Sequence, residues 1–221
     1  MTQALTEKLN KARQRLLAEL AREIGDARVI DAIARVPREM FVPEHLRDFA
    51  YENQPLPIGH GQTISQPQIV AMMIEALLLK GSETVLEVGT GSGYQAAVLS
   101  LLAARVVTVE RIAALAEDAA RALADLGFVN VEVHVAHDRL GWPDEAPYEG
   151  IIVAAASPEV PFELLNQLAA GGRLVIPVGS RRFQELVRIV KTPEGAQRHN
   201  LGPCRFVPLV GPGAWPESQS A

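Results

Sequence analysis

The chain has 221 residues, 48% of them hydrophobic and 21% charged, with 21 Lys plus Arg against 26 Asp plus Glu and a net charge of −5. That is enough apolar material for one compact body with a sizeable core, and the acidic balance leaves no electrostatic footprint for non-specific nucleic-acid binding. The single cysteine, Cys204, excludes an internal disulfide, and the five histidines show no ligand spacing with cysteine or carboxylate, so no metal site is expected.

The opening stretch, MTQALTEKLNKARQRLLAEL, interleaves charges with leucines and lacks the apolar centre of a secretory signal. No apolar run is long enough to span a bilayer, so the expectation is a cytoplasmic, monomeric protein with no membrane partner. Leu5, Leu9, Leu16 and Leu20 recur near helical spacing, and DARVIDAIARV follows with Asp26 as an N-cap. From Pro37 to Pro67 prolines and glycines break any long periodic element, predicting a structured excursion, and long loops inside compact domains are commonly functional. A helix is expected from Pro67 to Leu79, on the stripe Ile69, Val70, Met73 and Leu77.

Beyond KGSE the pattern alternates. TVLEVG, RVVTVE, VEVHVA, GIIVAAA and RLVIPVG read as strands; YQAAVLSLLA, RIAALAEDAARALADLG and PFELLNQLAAGG read as helices. This predicts an α/β fold with a doubly wound, mainly parallel sheet covered by helices on both faces. QELVRIVKT and CRFVPLV add two strand candidates with no helix between them, hence an antiparallel addition at one edge. The expected organisation is an N-terminal helical and loop region (1–66), an α/β core with C-terminal strands (67–210) and a terminal coil (211–221), all in one compact domain.

LEVGTGSGY follows the first strand of this unit and precedes a helix, where glycines permit a tight turn and close approach to a ligand. Gly89, Gly91 and Gly93 are spaced G-x-G-x-G, which differs from the dinucleotide fingerprint and removes the argument for NAD. Glu110 ends the next strand, where an acid in this topology accepts from ribose hydroxyls, and Asp138 follows the third strand, where it can accept from an adenine amino group or simply cap a loop. His60 lacks a placed orienting acid and reads as an exposed turn residue; Trp142 and Trp215 read as loop anchors, and Arg181 with Arg182 as a solvated turn.

Taken together, FVP, AYENQPLPIGHGQTISQP, VLEVGTGSGYQAAVLS, VERI, GIIVAAA, IPVG and RFVPL resemble the protein-L-isoaspartate O-methyltransferases, from about Met40 to Leu209. LPIGHGQTISQP is the specific part, because the glycine turn is shared by many S-adenosylmethionine-dependent methyltransferases. The resemblance implies transfer of a methyl group from S-adenosyl-L-methionine to the free α-carboxylate of L-isoaspartyl residues in damaged proteins and peptides. The ester then loses methanol through a succinimide, whose hydrolysis returns part of the material to aspartate, which is protein repair. The resemblance also implies that Ser65 is catalytic, that Glu87, Gly89, Thr90, Gly91, Ser92, Gly93, Glu110 and Asp138 bind the cofactor, and that Ile58, Gly59, Ser65, Phe206, Val207 and Pro208 contact the peptide. One departure is visible: the family commonly places glycine on each side of the acid matching Asp138, whereas here His137 and Arg139 flank it, so the loop must adopt backbone angles that side chains tolerate or lie differently.

Ser65 itself has two readings from local sequence, helix cap or substrate contact. Proline disfavours helical angles in the residue before it, which makes Gln66 the boundary if Pro67 opens the helix and weakens the cap reading. Two alternatives to repair remain at this stage: a carboxyl methyltransferase of a specialised peptide-modification pathway, and a non-catalytic S-adenosylmethionine-binding protein.

Overall fold

The structure, a computed structural model, describes residues 3–216. Helices α1 (Gln3–Leu20) and α2 (Ala27–Arg35) open the chain. Asp26 caps α2, accepting from the Arg28 backbone N–H at 2.9 Å. The excursion between Pro37 and Pro67 resolves into two 3-10 turns and a hairpin of β1 (Leu56–Gly59) with β2 (Gln62–Ile64). The hairpin turns on His60 and Gly61 at φ 52 and 69, the pair of positive angles that matches the strand twist. Helix α3 (Pro67–Ala76) begins one residue beyond Gln66, whose extended angles make it the N-cap.

Strands β3 (Thr84–Val88), β4 (Arg105–Glu110), β5 (Val131–Val135) and β6 (Tyr148–Val153) alternate with α4 (Tyr94–Ser100) and α5 (Ala113–Asp125). After β6 come α6 (Phe162–Gln167), β7 (Leu168–Gly179), β8 (Gln184–Thr192) and β9 (Gly195–Cys204). The seven-stranded sheet runs β5-β4-β3-β6-β7-β8-β9, parallel as far as β7 and antiparallel through β8 and β9. This is the doubly wound type with an antiparallel edge addition. Side-chain alternation sends Val85, Val106 and Ile152 toward the N-terminal helices, and Leu86, Val107 and Ile151 toward the opposite face. The chain reverses its order between β3 and β6, and open α/β sheets hold ligands in the crevice at such a reversal. No helix among the described residues is long and apolar enough to cross a membrane.

Three expectations change. PFELLNQLAAGG is helical only to Gln167; Leu168 already pairs with Tyr148, and a register shift follows before Gly150 meets Arg173. A helix through that stretch would forfeit pairing with β6, so sheet contacts override local propensity. CRFVPLV is not the last strand: β9 is the polar, largely exposed GAQRHNLGPC, which gave no apolar signal because an edge strand pairs through its backbone. The predicted Pro67–Leu79 helix stops at Ala76, with Leu78 at φ 51 turning the chain. Of the C-terminal tail, the residues to Pro216 fold back, with the Trp215 N–H donating to the Leu209 carbonyl at 2.9 Å, while 217–221 lie outside the described residues.

Candidate active site

Two cavities meet at the carboxyl ends of β3, β4 and β6. The first is walled by Gly89–Ser92, Glu110, Tyr94, Gln95, His137 and Arg139; the second, a groove, by Met72, Arg181, Cys204–Pro208 and Trp215. Thr63, Ser65, Ala154, Val207 and Pro208 line both. Ser65 is thus half-buried on the partition between them.

The glycine turn follows β3 directly. The Gly89 N–H donates to the Val109 carbonyl at 2.8 Å, which carries the turn over the end of β4. A side chain at Gly89 would meet the Ala154 Cβ at 3.3 Å, and its φ of 97 favours glycine independently. Glu110 is 6% exposed; one carboxylate oxygen accepts from the Gly91 N–H and the other from the Ile112 N–H, each at 3.0 Å. Both oxygens retain lone pairs for hydroxyl donors in the cavity.

Glu87 and Gly93, grouped by sequence with these residues, lie behind the wall. Glu87 is 0% exposed, with Thr108 Oγ1 donating to it at 2.5 Å and Gln95 Nε2 at 2.9 Å. Burial raises its pKa to about 8, against the lowering effect of these two bonds. Its reach to the cavity is indirect, through Gln95 and the Thr108–Thr90 hydroxyl contact of 2.6 Å. At Gly93 a Cβ would lie 3.3 Å from both Ala119 and Leu123, so this glycine serves helix packing. Thr90 and Ser92 line the cavity.

Asp138 is exposed and absent from the cavity wall, which its neighbours His137 and Arg139 supply instead. None of the three takes a positive φ; Gly141 does, at 77. The loop therefore uses angles that side chains tolerate and places its left-handed residue three positions past Asp138. The His137 ring stacks on Trp142 with centroids 5.1 Å apart, and Trp142 stacks on His134 at 4.1 Å. Glu132, His134 and Glu145 are close enough together to hold a metal ion, but Arg105 pairs with both acids.

On the peptide side, Ile58 reaches the glycine turn, its Cδ1 being 3.4 Å from a Cβ built at Gly91. Gly59 lies at the exposed hairpin end, outside both cavities. Phe206, Val207 and Pro208 line the groove. The Val207 carbonyl accepts from the Ala156 N–H at 2.8 Å and the Leu209 N–H donates back to Ala156 at 2.7 Å. Sequence reasoning treated Arg181 and Trp215 as unrelated; the guanidinium lies 5.1 Å above the indole centroid and both border the groove. His60 is exposed in its turn, and burial, then Glu185, pushes the Cys204 thiol up to about 11. Thr63, Tyr94 and Gln95 were not anticipated on the walls, where only the strand-turn-helix context of Tyr94 and Gln95 offered a signal; His137 and Arg139 had been noted only as flanking Asp138, and they, not Asp138, line the cavity.

The whole chain has counterparts among known proteins. The family described as protein-L-isoaspartate(D-aspartate) O-methyltransferase matches residues 10–213. Protein-L-isoaspartate O-methyltransferase 1 of Syntrophobacter fumaroxidans is 53% identical over 207 residues, covering 93% of this chain and 97% of that protein. The Rhodopseudomonas palustris enzyme is 54% identical over 203 residues, covering 91% and 93%. A solved protein-L-isoaspartate O-methyltransferase superposes with TM-score 0.82 at 29% identity, over 91% of this chain and 67% of its own. The Plasmodium falciparum structure described as a putative member in complex with S-adenosyl-L-homocysteine gives 0.75 at 25% identity, over 88% and 96%. With sequence and fold agreeing across nearly its whole length, this chain belongs to the protein-L-isoaspartate O-methyltransferase family.

Proposed function

We propose that the chain is a protein repair methyltransferase that esterifies the free α-carboxylate of L-isoaspartyl residues in damaged proteins and peptides, and that Ser65 orients that carboxylate. The observation that carries the assignment of Ser65 is its place on the partition shared by the cavity and the groove.

The cavity fits S-adenosyl-L-methionine. Gly89 leaves a recess that a Cβ would fill, and Glu110 offers two acceptors suited to ribose hydroxyls. Gly89, Thr90, Gly91, Ser92 and Glu110 would hold it directly, while Glu87 and Gly93 shape the turn from behind. When bound, the cofactor supplies an electrophilic methyl group. His137 and Arg139, rather than Asp138, face the cavity from the third loop, and we assign the adenine side to that loop.

A carboxylate with an ordinary pKa of about 4 is ionised at neutral pH, so the nucleophile needs no base. What the protein supplies is alignment and removal of water, effects worth roughly 7–11 kcal/mol in favourable cases. The Ser65 hydroxyl donates to one carboxylate oxygen and leaves the other directed at the cavity. The Phe206–Pro208 segment forms the groove wall along which the peptide lies, and Ile58, beside the glycine turn and outside both cavities, would meet it only at the margin. Substrates are proteins and peptides and not nucleic acid, for which a net charge of −5 leaves no electrostatic footprint, and a cytoplasmic monomer belongs to the same proposal.

The test is methyl transfer to paired peptides that differ only in L-isoaspartyl or L-aspartyl linkage. Selective labelling of the isoaspartyl peptide is expected; equal labelling of both would favour a different carboxyl methyltransferase, and none of either a binding protein. Ser65→Ala should lower kcat by about tenfold or more, the loss of a hydrogen bond to a charged group, while S-adenosylmethionine binding persists.

A further inference from the structure

Arg38 opens the first 3-10 turn, Arg38–Phe41, and is 0% exposed. Its Nε donates to the Ala50 carbonyl at 2.8 Å and its Nη2 to the Ser65 carbonyl at 2.9 Å. Its guanidinium carbon lies 4.8 Å from the Tyr94 ring centroid. Among the described residues no carboxylate pairs with it, and Nη1 is buried with no hydrogen-bond partner. Such burial without a counter-charge costs several kcal/mol, and well-packed apolar residues commonly serve stability as well or better. Burial pulls the Arg38 pKa down, the sign of that same penalty.

The groups it touches suggest what the penalty secures. Ser65 lies between β2 and the N-cap Gln66, and the first helical bond of α3 runs to the Gln66 carbonyl, from Val70, at 3.2 Å. The Ser65 carbonyl stands one residue outside that ladder and is held by Arg38. Tyr94, under the guanidinium face, begins α4 and lines the cofactor cavity. A planar, forked cation is suited to holding two carbonyls while resting on an aromatic ring, and lysine is not.

We propose that Arg38 is a positioning residue for methyl transfer: it clamps the peptide plane after Ser65 against the Tyr94 side of the cofactor cavity, which fixes the Ser65 hydroxyl relative to the methyl donor. This rests on the role given to Ser65 above. Arg38 lines neither the cavity nor the groove and bonds the Ser65 carbonyl rather than its hydroxyl, so it acts through Ser65 and touches no substrate.

The test is a double-mutant cycle in the full chain with Arg38→Lys, Arg38→Met and Ser65→Ala, reading kcat and KM for an isoaspartyl peptide, calorimetric S-adenosylhomocysteine binding and thermal midpoint. Arg38→Lys should lower kcat about tenfold, with peptide KM and cofactor affinity within about twofold; in the Ser65→Ala background the further loss should shrink below about twofold. Equal losses in both backgrounds, or losses that track unfolded protein, overturn the proposal. Unchanged kcat in Ser65→Ala alone overturns the reading of Ser65 and this inference with it, an outcome distinct from additivity. Should the Arg38 variants not fold, replacing Gln66 by its α-hydroxy acid turns the Ser65–Gln66 amide into an ester and weakens the same carbonyl acceptor with Arg38 intact. A kcat loss of about threefold supports the clamp, and no loss overturns it.

Discussion

Two buried glutamines hold the two irregular borders of the site, one on each side. Gln167, 4% exposed at the end of α6, accepts from the Trp142 N–H and donates to the Leu140 carbonyl, both at 2.8 Å, and so fixes the loop that faces the cofactor cavity. Gln184, 5% exposed at the start of β8, accepts from the Phe206 N–H at 2.7 Å and donates to its carbonyl at 3.2 Å, fixing the segment that faces the groove. The first leaves no room: a Cβ at Gly141 would lie 2.4 Å from Gln167 Oε1. The second is reinforced instead by the Ala156 backbone bonds to Val207 and Leu209. Cofactor side and peptide side are therefore anchored by separate residues on separate elements, and their affinities should be separable.

Glu110→Ala is the severest test of that separation. Losing a carboxylate that accepts from two backbone N–H groups and faces the cavity should weaken cofactor binding about a hundredfold by calorimetry, with peptide KM measured at saturating cofactor nearly unchanged. Next come the glutamines as a pair. Gln184→Ala should raise peptide KM about tenfold and spare the cofactor, and Gln167→Ala should do the reverse, each change stranding buried backbone groups. If either variant moved both affinities alike, the two borders would be one unit.

The smallest effect is expected at Glu87. Its folded pKa of about 8 stands above the ordinary 4.5, so between those values the folded chain holds a proton the unfolded chain has released. The resulting stabilisation is complete in acid and is lost as pH rises through about 8. Glu87→Gln should flatten that part of the thermal-midpoint profile while leaving cofactor affinity at neutral pH close to wild type. A variant that instead lost cofactor binding would place Glu87 in direct contact with the ligand.

The cofactor side was the more readable in the sequence. Gly89 and Gly91 follow β3 and Glu110 ends β4, strands whose apolar runs announce them, so their positions come from local geometry at two neighbouring strand ends. Ser65 was readable only through its surrounding motif and the restriction that Pro67 puts on Gln66. Its setting was not: Arg38 is 27 residues away and reads as an ordinary surface charge between Pro37 and Glu39. Gln167 and Gln184 were equally silent, since nothing local distinguishes a glutamine that will bond a distant backbone from one in water. The strand β9 escaped because an edge strand needs no apolar face, and α6 was read too long because its last residues are claimed by β6.

Cys204 ends β9 on the groove wall, beside the segment where a damaged protein would lie. With its thiol pushed up to about 11 by burial and then by Glu185, Cys204 stays protonated at neutral pH. The sole thiol of this chain therefore stands on the groove wall as a poor nucleophile, and a damaged protein held there meets no thiolate.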